Sequence, residues 1–136
     1  MREIIVYGSP APQGSKAFKG MRGGKGIMVE VSKAVKPWRE AVKYACLEHP
    51  GETIKGPVKL TVAFTMPRPQ KPKSPVPDRM PDLSKLVRST EDALTDMQAW
   101  EDDARIVECL SIKTYPGQHR FALDSPGARI IIQSIL

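Results

Sequence analysis

Thirty-five residues in the second half of the chain, Arg79 to Lys113, limit what the rest can be: RMPDLSKLVRSTEDALTDMQAWEDDARIVECLSIK. They hold eight of the fifteen acidic side chains. Pro81-Asp82 leads into an amphipathic run from Leu83 to Met97. At ~100° per residue Leu83, Leu86, Val87, Ala93, Leu94 and Met97 fall within one arc, which predicts a helix with a buried stripe. Lys85, Arg88 and Asp92 lie together on the opposite side, and Ser84, Arg88, Glu91 and Thr95 form an overlapping stripe. Trp100, the acids Glu101-Asp102-Asp103 and a strand-like run from Ile106 follow. Carboxylates gathered in one place repel unless a cation or a proton sits between them. An oxygen-rich site of that kind suits a hard ion such as Mg²⁺.

The helix needs something to pack against, and 136 residues suffice for one domain but not two, so residues 1–136 are expected to form a single unit. No apolar run approaches ~18 residues, and the chain starts on the strand-like REIIVY without a signal-peptide pattern. Cys46 and Cys109 are too few for a disulfide framework and lack metal-ligand spacing. They are expected to be buried thiols in a reducing compartment, the cytoplasm. Charge is segregated. Residues 1–88 carry 17 basic and 7 acidic side chains, net +10, whereas residues 89–136 carry 4 and 8, net −4. That layout suits a polyanion held against a carboxylate centre, and a merely solvated basic surface is the plainer reading. Aromatics, at 6% of the chain, do not interleave with the basic residues, which disfavours a single-strand stacking platform.

In chain order, Arg2–Tyr7 reads as a strand, ended by Gly8-Ser9-Pro10. The glycine-rich basic run Lys19 to Gly26 lacks the lysine-serine or lysine-threonine ending and the strand-to-helix setting of a nucleotide-binding loop. It reads as a flexible arm carrying Lys16, Lys19, Arg22 and Lys25 to phosphates, or as a solvated hairpin-like excursion. Residues 27–31 suggest a short returning strand. Lys36-Pro37 opens a helix whose Trp38, Ala41, Val42 and Ala45 make a buried face, with Lys36 and Arg39 outward. Val58–Met66 is a strand. Residues 67–81 form a semi-rigid proline-rich connection whose Lys71, Lys73 and Arg79, followed by Lys85, extend a positive strip to the acidic centre. Residues 104–115 supply a strand with Ile106, Cys109 and Ile112 as packing positions, and residues 129–136 supply the last one. The order β–β–α–β–α–β–β indicates an α+β fold, a small mixed sheet packed by two main helices. Trp38, Met97 and Trp100 are expected in the core. His49 and His119, isolated among turn residues, are expected to be neither ligands nor a general base.

The pattern Pro81-Asp82-Leu83-x-x-Leu86-x-Arg88-x-x-x-Asp92-Ala93-Leu94-Thr95, then Trp100-x-Asp102-Asp103-x-x-Ile106 and the strand-ending Lys113, resembles the RusA family of Holliday-junction resolvases. The runs Pro10 to Lys16 and Lys36-Pro37-Trp38-Arg39 resemble phage members of that family. The resemblance implies a compact α+β homodimer with a positively charged face that binds four-way DNA junctions. It implies two symmetric nicks made with Mg²⁺, no small-molecule cofactor, no membrane, and the bacterial cytoplasm as its location. The family's first catalytic aspartate falls on Asp82, and the acid beyond the helix falls on Asp103, with Asp102 beside it as a further ligand. The basic catalytic position falls on Arg88, and the aspartate of the Asp-Ala-Leu run falls on Asp92.

One position departs from the pattern. The family's second aspartate is Ser84 here, a neutral and weaker ligand. Glu91, ~20° from Ser84 around the helix and two turns on, is a candidate to restore the charge. Structural roles compete at each position: Asp82 as helix N-cap, Asp102 or Asp103 as the cap of a turn, Arg88 as the i+4 ion-pair partner of Asp92. Two other classes of function remain open at this point, a junction- or duplex-binding protein that cuts weakly or not at all, and a metal-dependent phosphohydrolase acting on nucleotides.

Overall fold

A computed structural model describes the backbone of residues 1–14, 16–22, 25–30 and 33–136, and the side chains of residues 1–14 and 33–136. The elements in order are β1 (Arg2–Tyr7), β2 (Lys16–Arg22), β3 (Lys25–Glu30), α1 (Val35–Glu48), β4 (Val58–Thr65), α2 (Leu83–Asp96), a 3-10 turn (Asp103–Arg105), β5 (Ile106–Thr114) and β6 (Gly127–Ser134). Four strands make a mixed sheet in the order β1-β6-β4-β5, as the α+β reading expects. β6 runs antiparallel to both β1 and β4, and β5 runs parallel to β4. A parallel neighbour requires a crossover, and α2 is that crossover.

The glycine-rich run takes the form of a hairpin, one of its two readings. Lys16–Arg22 and Lys25–Glu30 pair antiparallel as a hairpin, with a register shift between Phe18 and Met21. The return strand was explicit in the sequence, while the outgoing strand was covered only by the hairpin-like alternative because its glycines and lysines dilute alternation. The side chains of Lys16, Lys19, Arg22 and Lys25 lie outside the described residues, as does Val31.

Both helices cover one face of the sheet. Ile4, Val6, Leu60, Val62, Phe64, Ile130 and Ile132 meet Trp38, Val42, Leu86, Ala93 and Leu94, all buried. Burying side chains of this size stabilises by roughly 1.5–3 kcal/mol each before entropy is counted. Trp38 tilts against Phe64 at 6.5 Å between ring centroids, and its Nε1 donates to Thr90 Oγ1 at 3.1 Å. Thr90 in turn donates to the Leu86 carbonyl at 2.8 Å. Ser89, also buried, donates to the Ala11 carbonyl at 2.7 Å, fastening residues 10–14 along α2. The buried face of α2 is therefore wider than its apolar stripe, because these two hydroxyls are satisfied internally and can be enclosed. Trp100 is buried and Met97 half-buried, as expected.

β5 is the exception to good coverage. It is one of the sheet's two edge strands, and of its apolar residues Ile106 packs against the core while Ile112 is half-buried. Cys109 is exposed, against the expectation that it packs and that both cysteines are buried; Cys46 alone is. The register shift opposite Val58/Lys59 and the position at the sheet edge leave residues 107–110 without a neighbour on one side. Among the described residues, no helix is long and apolar enough to cross a membrane.

Candidate active site

Asp82 sits at the head of α2. Its backbone carbonyl accepts from the amides of Lys85 and Leu86 at 3.1 Å each, but its carboxylate makes no capping hydrogen bond. Asp82 is exposed, so the N-cap reading accounts for the backbone and leaves the charge unused. The segment before it is held by Lys113 at the end of β5. The Lys113 amine donates to the carbonyls of Arg79 and Pro81 at 2.9 Å each. This clamp gives Lys113 a role the sequence did not reveal, because its partners are backbone atoms with no side-chain signature.

The acids after the helix divide their tasks. Glu101 accepts from the Gly56 amide at 3.2 Å and pairs with Arg105 at 3.7 Å, a structural use. Asp102 Oδ1 accepts from the Ala104 amide at 2.9 Å and so caps the 3-10 turn. That hydrogen bond, then one with Asp103, holds the Asp102 carboxyl below the ordinary range. Asp103 is pushed up, first by its hydrogen bond with Asp102, then by desolvation and the charges of Asp102 and Asp92. Two adjacent exposed carboxyls that repel one another are an arrangement that a cation between them would relieve.

Glu91 belongs to this group. It is half-buried, and burial, Asp103 and Asp92 raise its carboxyl while Arg88 lowers it. Its charge also reaches Cys109, whose thiol is pushed up first by partial desolvation and then by Glu91. Arg88 acts on Glu91, and no ion pair joins it to Asp92 among the described residues.

These contacts fix the direction of the helix. α2 starts beside Lys113, near the end of β5, and brings Glu91 and Asp92 toward Asp103, just before the start of β5. Helix and strand run in opposite directions. Asp82 and Asp92 are ten residues apart, about 15 Å along the axis. A single chain therefore sets Asp82 and Ser84 at one end of the helix, and Glu91, Asp92, Asp102 and Asp103 toward the other. Among the described residues, no three potential ligands are placed to hold one metal ion.

The basic candidates also separate. Lys71, Lys73, Arg79 and Lys113 line one cavity beside Pro81. Arg39 and Lys43 both reach Asp96, at 3.4 and 3.1 Å, and join α1 to the end of α2. Lys36 is exposed on α1, and Lys85 is half-buried with its carbonyl accepting from the Gln13 amide at 2.9 Å.

Residues 8–132 match the family model described as endodeoxyribonuclease RusA. No curated protein matches the chain.

Proposed function

The chain belongs to the RusA family of endodeoxyribonucleases, the Holliday-junction resolvases, and on that premise we propose that it cuts four-way DNA junctions as a homodimer whose active sites are shared between copies. The observation that carries this reading is the unused carboxylate of Asp82, held on a clamped lead-in at the opposite end of α2 from the Asp102–Asp103 pair.

The surface between those ends is β5. It is a nine-residue edge strand with Val107 65% exposed and Leu110 46% exposed. Such an edge presents unpaired amides and carbonyls and invites another strand. A second copy pairing antiparallel about a two-fold axis sets the Lys113 end of one β5 against the Ile106 end of the other. Asp82 of one copy then faces Asp102 and Asp103 of the second, and two equivalent sites form. Two sites related by a two-fold suit a substrate whose two cut strands are related in the same way.

In this arrangement Asp82 and Asp103, with Asp102 beside them, would hold Mg²⁺, which when bound supplies Lewis acidity to a phosphoryl oxygen and lowers the pKa of a water. Arg88 balances charge that develops on the phosphoryl oxygens, and its guanidinium does not serve as a proton donor. Asp92, whose charge acts on Asp103, would raise that carboxylate's affinity for a cation. Glu91 returns, from the Asp103 side, the negative charge that Ser84 lacks. Glu91→Gln should then be nearly as damaging as Asp82→Asn, and Ser84→Asp should rescue it at least in part. The positive strip supplies affinity through phosphates, independently of sequence.

Cutting of a cruciform plasmid with Mg²⁺ tests the reading. Asp82→Asn and Asp103→Asn should each reduce cutting by at least ~10²-fold while junction binding in EDTA persists. Mixing the two variants is the sharper measurement. A mixed dimer has one site with both aspartates and one with neither, so activity should return as nicked circles and not as linear plasmid. A mixture as inactive as its components would show that sites are not shared. Wild-type protein that binds the junction but never cuts it would favour the binding-only reading, with Ser84 as the lost ligand.

A further inference from the structure

We propose that the cavity beside Asp82 receives one unstacked nucleotide of the strand to be cut, and so helps to choose where the cut falls. The inference rests on the junction-cutting reading above and adds a binding site to it. The cavity measures about 630 Å³, within the ~300–1,000 Å³ typical of pockets that enclose small molecules. Its walls are apolar. Met66 and Tyr115 are buried, and Pro67, Pro69 and Pro77 come from the connection between β4 and α2. Its floor is rigid, because the Met66 amide donates to the Thr114 carbonyl at 2.8 Å and continues the pairing of β4 with β5.

The polar groups select the guest. Lys71, Lys73, Arg79 and Lys113 face a single carboxylate, Asp78, and Asp78 already lies 3.7 Å from Arg79 Nε. Lys113 gives two of its three donors to backbone carbonyls and keeps one for a ligand. A flat apolar group carrying an anion is what apolar walls with a cationic surround accommodate, and a nucleotide is that combination. The prolines limit the conformational freedom lost on binding. A base at a branch point has lost part of its stacking, so extracting it costs less than from an intact duplex. Pro81 is both a wall of the cavity and the neighbour of Asp82, so a nucleotide lodged there puts an adjoining phosphate beside that carboxylate.

The test scans 2-aminopurine through the nucleotides flanking the branch point of a four-way junction, with wild-type protein in EDTA. One position per cut strand should brighten several-fold on binding, as the probe leaves the stack. Ser9→Leu and Ser74→Leu, made separately, narrow the cavity from two segments without removing a charge. Each should at least halve the brightening and spread the cut over neighbouring positions, with junction affinity within about threefold of wild type. A bound junction in which no position brightens overturns the cavity proposal and leaves the resolvase reading standing. Undiminished brightening in both leucine variants also overturns it. Failure of the wild-type protein to bind the junction at all removes the functional reading, and the cavity's role with it.

Discussion

The two ends of α2 hold carboxylates under opposite conditions. At the first, Asp82 is an exposed acid with an unengaged carboxylate on a segment clamped by Lys113 and bordered by Lys71, Lys73 and Arg79, the last paired with Asp78. At the second, Glu91, Asp92, Asp102 and Asp103 act on one another through their charges, and Asp102 caps the 3-10 turn. The first end has positive charge ready for phosphates and one ligand. The second has an excess of ligands, and its cations Arg39, Lys43 and Arg105 are already paired with Asp96 and Glu101. Each lacks what the other carries, which is the reason for joining them through a second copy of the chain.

Breaking the edge should have the largest effect on that complementarity. Leu110→Lys places a charge near the proposed two-fold axis, where it meets its own copy, and like charges directly opposed across strands are destabilising. The variant is expected to sediment as a monomer, bind junctions weakly and lose cutting by ~10²-fold or more. A monomeric Leu110→Lys variant that still cuts efficiently would show that one copy contains a whole site. Loosening the first end should do less. Lys113→Met removes both donors to the Arg79 and Pro81 carbonyls while keeping the stem's bulk. Cutting should slow about tenfold, equivalent to ~1.4 kcal/mol in the barrier, with Mg²⁺ requirement raised because Asp82 is less well placed. Lys113→Arg keeps the donors and should recover part of the rate; equal loss in both variants would point to damaged folding instead.

Much of this was legible in the sequence because it depends on local pattern. The period of the apolar residues placed α2 to within a residue of its observed Leu83–Asp96, and Trp38 and Trp100 lie in the core as their surroundings required. The misses have physical causes. Lys16–Arg22 is a strand although glycine and lysine dilute its alternation, since backbone pairing with Lys25–Glu30 needs no apolar face. Ser89 and Thr90 are buried because carbonyls of Ala11 and Leu86 satisfy them, and no hydrophobic count registers that. Cys109 is exposed because sheet order, which a sequence does not state, puts β5 on the edge. The family resemblance implied Asp82 and Asp103 in one site, and the crossover, which runs α2 back along β5, sets them at opposite ends of the helix within one chain.

The smallest expected effect tests the second end alone. Burial, Asp103 and Asp92 raise the Glu91 carboxyl above its ordinary value, so the folded chain holds that proton more tightly than the unfolded chain does. The favourable contribution is present below the unfolded value of ~4.3 and is lost as pH rises through the folded one. At neutral pH the charged Glu91 therefore opposes folding. Glu91→Gln should raise the melting temperature by ~1–3 °C at pH 7.5, and the gain should vanish as pH approaches ~4. Mg²⁺ reverses the sign if Glu91 faces the ion, since a cation stabilises the charged form. Millimolar Mg²⁺ should then raise the wild-type melting temperature more than that of Glu91→Gln, closing the gap between them. A gap that Mg²⁺ leaves unchanged would remove Glu91 from the ion's surroundings and leave the charge missing at Ser84 unreplaced.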